Sequence, residues 1–350
     1  MRKIINVLIL LALVGGMSSL LWAKDFRTIQ DQLGREVKVP TKVTRIVVLE
    51  HHSLDVLVQL GAQKDIVGVL SSWKRRLGAN FVRFMPSIKT MPMPGDLRSV
   101  NIESLLKLKP QVVFVTNYAP TDMINKIQNA GIAVLAISFT KNSKADLHKM
   151  NPSPKDAKKA YKDGLTQTIT IMAEVLNKKK LGKELIKAAF SKRAMIAKRL
   201  KTIKPDERVK VYMANPKLHT YGKGKYTALM MRLCGASNVA AKSLKGYKQV
   251  SLEQVIKWQP KVIFIQHRYA NVLNEIKADS RWQLIPAVKN HKVYLLPQYA
   301  KAWGHPLPEA TSLGELYISK TLYPKLFKDI DMNKEVSAYY KKFYKVSWKK

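Results

Sequence analysis

Polar and aromatic side chains with binding chemistry follow the apolar runs of this sequence, directly after each run or in the loop behind it. In the first half they are His51, His52, Trp73, Arg75, Asn117 and Tyr118. In the second half they are His219, Tyr221, His267, Arg268, Tyr269, Trp303 and His305. Guanidinium forks match carboxylates and oxyanions, and Trp or Tyr covers the apolar face of an organic molecule. We therefore predict that these residues line one basic cleft that binds an anion.

The histidines extend this prediction to an anion that contains a metal. Imidazole is a good ligand for transition metals, and His267, His305 and His219 are candidates to complete the coordination of a chelate that has open positions. Each histidine has an ordinary alternative, which is to hydrogen-bond a loop backbone or to face water. The basic run from Lys74 to Arg76 is as typical of a solvated face as of a binding site. Arg268 is the stronger candidate for a ligand contact, because it directly follows an apolar run.

The apolar runs have the length and flanks of buried strands in a parallel sheet. We predict strands at 45–49, 66–70, 112–116 and 133–137 in the first half and at 210–214, 262–266 and 292–296 in the second, with helices such as 53–60 and 121–130 between them. Strands that alternate with helices predict an α/β fold. Ligands in such folds lie beyond the carboxyl ends of the strands, which is where the candidate residues occur.

An internal repeat divides the chain. Residues 100–115 align with residues 250–265, with six identities in 16 positions and six further exchanges of one apolar residue for another. Each copy predicts a short helix that Asn101 or Ser251 caps, a proline at its end, and then a buried strand. Two copies 150 residues apart predict two α/β lobes of related construction.

One long helix is predicted between the lobes. Residues 183–203 carry an apolar stripe at helical spacing, contain no Gly or Pro, and are followed by Pro205. A single rigid connector limits the closure of the lobes. The fold prediction is two Rossmann-like lobes with central parallel sheets, at 24–178 and 205–350, joined by one long α-helix at 179–204.

The first 23 residues predict export. They have a basic start at Arg2 and Lys3, an apolar run at 4–13 and a small-residue region that ends at Ala23, which is the order of a signal peptide. The run is shorter than the roughly 20 apolar residues of a membrane span. No cysteine lies near the cleavage site to accept a lipid. We predict a signal peptide at 1–23 and a periplasmic mature protein that is not a lipoprotein.

The net charge of +38 raises the question of nucleic-acid binding. The lysines are spread along the whole chain, the signal peptide predicts export, and no nucleic-acid-binding motif is present, so we predict an anionic small molecule as the partner and no nucleic acid.

The sequence has no G-x-S-x-G or H-E-x-x-H motif and no paired carboxylates. We therefore predict a binding protein with no catalytic residues and no intrinsic cofactor. The alternatives are a metal-dependent hydrolase and a cationic surface-binding protein, whose affinity would collapse with salt.

The order and spacing of these segments resemble the periplasmic binding proteins for iron-siderophores, haem and cobalamin, in which one long helix joins two lobes. The resemblance runs from DQLGREVKVP at 31–40, through the repeat, to LCGASNV at 233–239. It implies a receptor of an ABC importer, which we expect to be a monomer, that delivers its ligand to a permease dimer in the inner membrane. The ligand it implies is an iron(III)-siderophore or a similar anionic chelate of Fe(III) or Ni(II). Molybdate, tungstate and nickel or cobalt complexes, cobalamin included, are the alternatives.

The resemblance also implies a role for Glu103 and Glu253, which occupy the same place in the two repeats. It implies that both carboxylates lie at the outer tips of the lobes and dock on arginines of the permease. The residues alone favour a simpler alternative, in which each Glu supports the start of its helix through the helix dipole.

Overall fold

The computed structural model describes residues 25–150, 152 and 154–348. The predicted signal peptide at 1–23 lies outside these residues. Among the described residues, no helix has both the length and the apolar character that crossing a membrane requires.

The first lobe is an α/β unit around a four-stranded parallel sheet. Its strands are β1 (Phe26–Gln30), β2 (Glu36–Pro40), β3 (Ile46–Val48), β4 (Ile66–Val69), β5 (Gly95–Asp96), β6 (Ser99–Val100), β7 (Val112–Thr116) and β8 (Ala133–Ile137). Its helices are α1 (His51–Gln59), α2 (Trp73–Leu77), α3 (Ile102–Lys107) and α4 (Thr121–Asn129). The parallel sheet has the order β4-β3-β7-β8, and β1-β2 and β5-β6 are antiparallel pairs. All residues of β3 and β7 are buried, as strands covered on both faces require.

Three helices connect the lobes: α5 (Ala157–Val175), α6 (Lys179–Phe190) and α7 (Arg193–Arg199). The prediction of one continuous helix over 183–203 is wrong, because Ser191 and Lys192 form a turn between α6 and α7. The Ser191 hydroxyl donates to the Ala188 carbonyl at 2.9 Å, so it competes for the backbone bonding that would continue the helix. The apolar stripe stays in phase across this short turn, and periodicity therefore did not reveal it.

The prediction that one long helix joins the lobes is confirmed, but at other residues: this helix is α5, with 19 residues. Near its start, the Tyr161 hydroxyl donates to the Gly224 carbonyl of the second lobe at 2.7 Å. Beyond its end, Asn177 donates to the Thr41 carbonyl of the first lobe at 2.7 Å. The lobe limits at 178 and 205 stay a proposal.

The second lobe repeats the first around another four-stranded parallel sheet. Its strands are β9 (Val209–Ala214), β10 (His219–Tyr221), β11 (Ala236–Asn238), β12 (Tyr247–Gln249), β13 (Val262–Ile265) and β14 (Val293–Leu295). Its helices are α8 (Tyr226–Leu233), α9 (Leu252–Trp258), α10 (Asn271–Ala278), α11 (Pro286–Lys289), α12 (Glu315–Leu322) and α13 (Met332–Tyr339), with π-helical turns at Ala310–Gly314 and Tyr340–Tyr344. The sheet order is β11-β9-β13-β14, the same as in the first lobe. The predicted α/β fold with two lobes is confirmed.

The repeat has the predicted local structure in both lobes. Asn101 caps α3 by accepting from the Ser104 N–H at 2.8 Å, and Ser251 caps α9 by accepting from the Gln254 N–H at 3.1 Å. Each helix then leads into a fully buried strand, β7 or β13. The two copies therefore place equivalent helix starts and equivalent strand ends in the two lobes.

A buried ionic cluster lies where the lobes meet. Asp55 of α1 accepts from Lys301 Nζ of the second lobe at 2.6 Å, and Glu309 lies 2.5 Å from the same nitrogen. The Tyr344 hydroxyl lies within hydrogen-bond distance of both carboxylates, 2.9 Å from Asp55 and 2.6 Å from Glu309. Burial raises the pKa of Glu309. Because a buried charge is costly without its partner, this cluster fixes the relative position of the lobes.

Candidate functional site

The cleft between the lobes encloses a cavity of about 340 Å³ beyond the carboxyl ends of the strands. The cavity brings together most of the residues that the sequence predicted: His51, His52, Arg75, Tyr118, Tyr221, Arg268, Tyr269, Trp303 and His305. It also includes residues that the sequence did not predict as ligand contacts: Arg76, Met150, Lys225, Tyr247 and Gly304. Among the described residues that line it, none is a carboxylate.

The first-lobe wall begins at the start of α1. Glu50 caps this helix by accepting from the backbone N–H groups of His52 and Ser53, at 3.0 and 2.5 Å. The His52 ring places Nδ1 2.8 Å from the same carboxylate. Burial alone would raise the pKa of Glu50, but the adjacent His52 and His51 hold it well below its usual range. The ionised Glu50 therefore holds the proton of His52 on Nδ1, which leaves Nε2 for a ligand.

Three imidazole rings cluster at this wall, His51 and His52 from the first lobe and His305 from the second. The ring centroid of His52 lies 3.8 Å from that of His51 and 5.2 Å from that of His305. Burial lowers the pKa of His51 to about 3 and holds that of His305 well below its usual range. His52 Nε2 and His305 Nδ1 are buried, and in the part of the chain that the structure describes neither has a hydrogen-bond partner. Buried polar atoms of this kind fit a ligand that bonds to them.

The second-lobe wall presents Arg268 in a fixed position. Its Nε donates to Gln266 Oε1, and its Nη1 donates across the cleft to the Arg76 carbonyl, both at 2.9 Å. The guanidinium carbon lies 4.8 Å from the ring centroids of both Tyr269 and Trp303. Because hydrogen bonds and aromatic rings hold the fork, little entropy is lost when it binds an anion.

Lys225 contributes a buried cation that the sequence analysis missed. Its Nζ donates to the Met150 carbonyl at 2.9 Å, and burial lowers its pKa to about 8. Lys225 precedes α8 and follows no strand of the parallel sheet, so no sequence pattern marked it.

Four predicted contacts lie outside the cleft lining. Trp73 is 8% exposed and packs in the core, because α2 turns its first residue inward. Asn117 donates to the carbonyls of Leu147 and Lys149, so it positions the loop that carries Met150. His219 stacks on Tyr247, with ring centroids 5.1 Å apart. His267 opens a short 3-10 turn, and burial lowers its pKa.

Of the predicted metal set of His267, His305 and His219, only His305 is among the residues that line the cleft, and the set stays a prediction. The described residues hold another group, Glu50, His51 and His52, whose ligand atoms lie within 4.8 Å of one another. In that group the carboxylate is engaged by backbone N–H groups and by the His52 ring. The cationic lining around it favours an anion over a metal cation.

Glu103 and Glu253 are exposed in the first turns of α3 and α9. The Glu253 side chain is 74% exposed, 3.9 Å from Arg281. Neither glutamate lines the cleft. Both are therefore free to contact another protein, and their docking role stays a proposal.

Comparisons with known proteins identify the family. The family described as periplasmic binding protein matches residues 46–300. The chain is 54% identical over 323 residues to the molybdate-binding protein MolA of Haemophilus influenzae, a match that covers 92% of each sequence. It is 28% identical over 278 residues, 78% of each sequence, to the Fe(3+)-citrate-binding protein YfmC of Bacillus subtilis.

Solved structures agree with the sequence relatives. A structure of MolA with molybdate bound matches at a TM-score of 0.90 and 54% identity, over 92% of this chain and 99% of that one. Helicobacter pylori CeuE, described as a Ni-His complex, matches at a TM-score of 0.71 and 21% identity, over 93% of this chain and 100% of that one, and shows the shared fold. These relatives are binding proteins and not enzymes, as the sequence predicted. This chain belongs to the periplasmic binding protein family.

Proposed function

We propose that this protein is the monomeric receptor of an ABC importer and that it binds a tetrahedral oxyanion, molybdate or tungstate, in the cleft between its lobes. The observation on which this proposal rests is the positive charge of the cleft. Arg75, Arg76, Lys225 and Arg268 line the same cavity, and the described lining residues include no carboxylate. Guanidinium and ammonium donors around a small space suit an oxyanion, whose oxygens accept from all sides.

The size of the cavity supports a small ligand. At about 340 Å³ it lies at the lower end of the roughly 300–1,000 Å³ of clefts that enclose drug-sized molecules. A tetrahedral oxyanion with a few waters fits this space, whereas a siderophore, haem or cobalamin is far larger. The molybdate-binding relative at 54% identity supports the same choice. We therefore prefer the oxyanion to the iron or nickel chelate that the sequence favoured.

The cleft residues have distinct roles in this proposal. The Arg268 fork donates to the oxyanion from the second lobe, and Arg76 and Lys225 add cationic donors. His305 contributes Nδ1, which lacks a partner among the described residues and donates to the oxyanion in the form that carries a proton there. Glu50 acts through His52, because it holds the His52 ring in place from behind. Glu103 and Glu253 are proposed to seat the loaded receptor on the permease dimer.

Titration calorimetry on the purified mature chain tests the ligand class. Molybdate, tungstate, sulfate, ferric citrate and a nickel-histidine complex are titrated in turn at a fixed salt concentration. We expect saturable binding of molybdate and tungstate at a stoichiometry of one, and weaker binding of sulfate. Tight binding of ferric citrate without binding of either molybdate or tungstate would overturn the proposal.

A further inference from the structure

A second cavity, larger than the cleft, lies on the second lobe. Its volume is about 680 Å³. We call it the basic groove, and its rim carries the cations Arg208, Lys210, Lys223, Arg232, Lys242 and Lys257. Apolar side chains such as Leu229 and Trp258 also line it. No carboxylate is among its described lining residues.

The charges of the groove are not neutralised within the protein. In the described part of the chain, none of its cations lies within 4.0 Å of a carboxylate. Other arginines of this part of the molecule do have such partners: Arg193 pairs with Glu315 at 2.6 Å, and Arg281 pairs with Asp279 at 2.7 Å. Nε of Arg208 is buried and has no hydrogen-bond partner among the described residues.

Lys225 joins the groove to the cleft, because it is among the residues that line both cavities. It is 5% exposed, and its ammonium group donates to the Met150 carbonyl, an uncharged acceptor. The positive potential of the groove therefore continues into the cleft without an intervening negative group. A surface of one sign that leads into a low-dielectric cleft concentrates ions of the opposite sign at the cleft entrance.

We propose that the basic groove captures small oxyanions from solution and guides them past Lys225 into the cleft. This inference rests on the proposed function, since it assumes an oxyanion as the ligand. Apart from Lys225, no residue that lines the groove also lines the cleft, so the other groove cations make no contact with an anion bound there. The groove therefore sets the association rate and leaves the dissociation rate unchanged.

The test compares two triple variants that remove the same charge from different surfaces. The groove variant is Lys210→Gln, Lys223→Gln and Lys242→Gln, which are all exposed side chains. The control variant is Lys180→Gln, Lys183→Gln and Lys187→Gln, exposed residues of α6 that line neither the groove nor the cleft. Stopped-flow tryptophan fluorescence, to which Trp303 in the cleft contributes, gives association and dissociation rates for molybdate at low and high salt.

We expect the association rate of the groove variant to fall about 5- to 10-fold at low salt, within the range of known steering effects. The control variant should lose less than about 2-fold, and the variants should converge with the wild type at high salt, where the Debye length is only about 3 Å. Dissociation rates should match throughout. Equal losses in the two variants, or an unchanged rate in the groove variant, would overturn the inference and leave the proposed function intact. Failure of the wild type to bind molybdate and tungstate would instead overturn the proposed function and this inference with it.

Discussion

The Arg268 guanidinium donates to the backbone carbonyl of Arg76, and this 2.9 Å hydrogen bond joins the two walls of the cleft. The bond holds a second-lobe cation against α2 of the first lobe. Gln266, Tyr269 and Trp303 hold the same group from other sides. The proposed oxyanion would therefore meet donors that are already in place.

Replacement of Arg268 by Lys keeps the charge and removes the fork. We expect the affinity for molybdate to fall roughly 10- to 100-fold, because one charge-assisted hydrogen bond contributes about 1.5 to 3 kcal/mol. Calorimetric titration gives this change directly. Arg281→Lys is the matched control, since Arg281 is exposed and lies outside the cleft lining. Equal affinities in the two variants would contradict the role of the fork.

Binding of the oxyanion should take up protons. His51 and His305 are neutral at pH 7, because burial lowers the pKa of His51 to about 3 and that of His305 well below its usual range. An anion beside these rings favours their charged form, so their pKa values rise on binding and the affinity increases as the pH falls. Calorimetry in buffers of different ionisation enthalpy measures the proton uptake between pH 8 and 5.5. Uptake should shrink in His305→Gln. Affinity that is constant over this range, with no proton uptake, would exclude the linkage.

Lys301→Met tests the ionic cluster between the lobes. The substitution leaves Asp55 and Glu309 buried without their cation, and we expect the free energy of unfolding to fall by about 3 to 5 kcal/mol. Urea titration followed by circular dichroism measures the loss. Lys342→Met is the control, because it breaks only the exposed pair with Glu184 and should leave the free energy of unfolding close to the wild-type value. Similar small losses in both variants would show that the cluster does not hold the lobes together.

Glu103→Ala and Glu253→Ala should impair transport and not binding. Neither residue lines the cleft, so the affinity for molybdate should stay at the wild-type value. Uptake into vesicles that contain the permease should fall in each single variant and further in the double variant. Glu36→Ala, which removes an exposed carboxylate from β2, should transport normally. Wild-type uptake by the double variant, or loss of ligand binding in either single variant, would refute the docking role.

The sequence predicted the cleft residues that follow strands of the two sheets. His51 and His52 come after β3, Tyr118 after β7 and Arg268 after β13. Parallel strands end at one edge of a sheet, so the order of the chain is enough to bring these side chains together. The seven predicted strands were confirmed, because a short apolar run between turn residues is typical of a buried strand. The short strand β11 was missed because Ser237 and Asn238 interrupt its apolar pattern.

Other features depend on contacts that no pattern along the chain encodes. Lys225 and Tyr247 enter the cleft beside the β10–β12 pair, which lies apart from the parallel sheets. Trp73 follows a strand as the cleft residues do, but α2 directs it into the core. The break at Ser191 is a single side-chain hydrogen bond within a stripe that remains helical in its spacing. Such features are decided by packing in three dimensions.

The two sheets repeat one strand order, β4-β3-β7-β8 and β11-β9-β13-β14. In each parallel sheet, the strand that comes first along the chain lies between the strands that come second and third. The two lobes are therefore built alike, as the two subunits of a homodimer are. A permease of two like subunits would meet a similar contact at either end of such a receptor. The receptor would then have two docking orientations related by a half-turn, both with the cleft toward the permease. A receptor without this internal symmetry would dock in one orientation only. This receptor would also dock after an encounter in the reversed orientation.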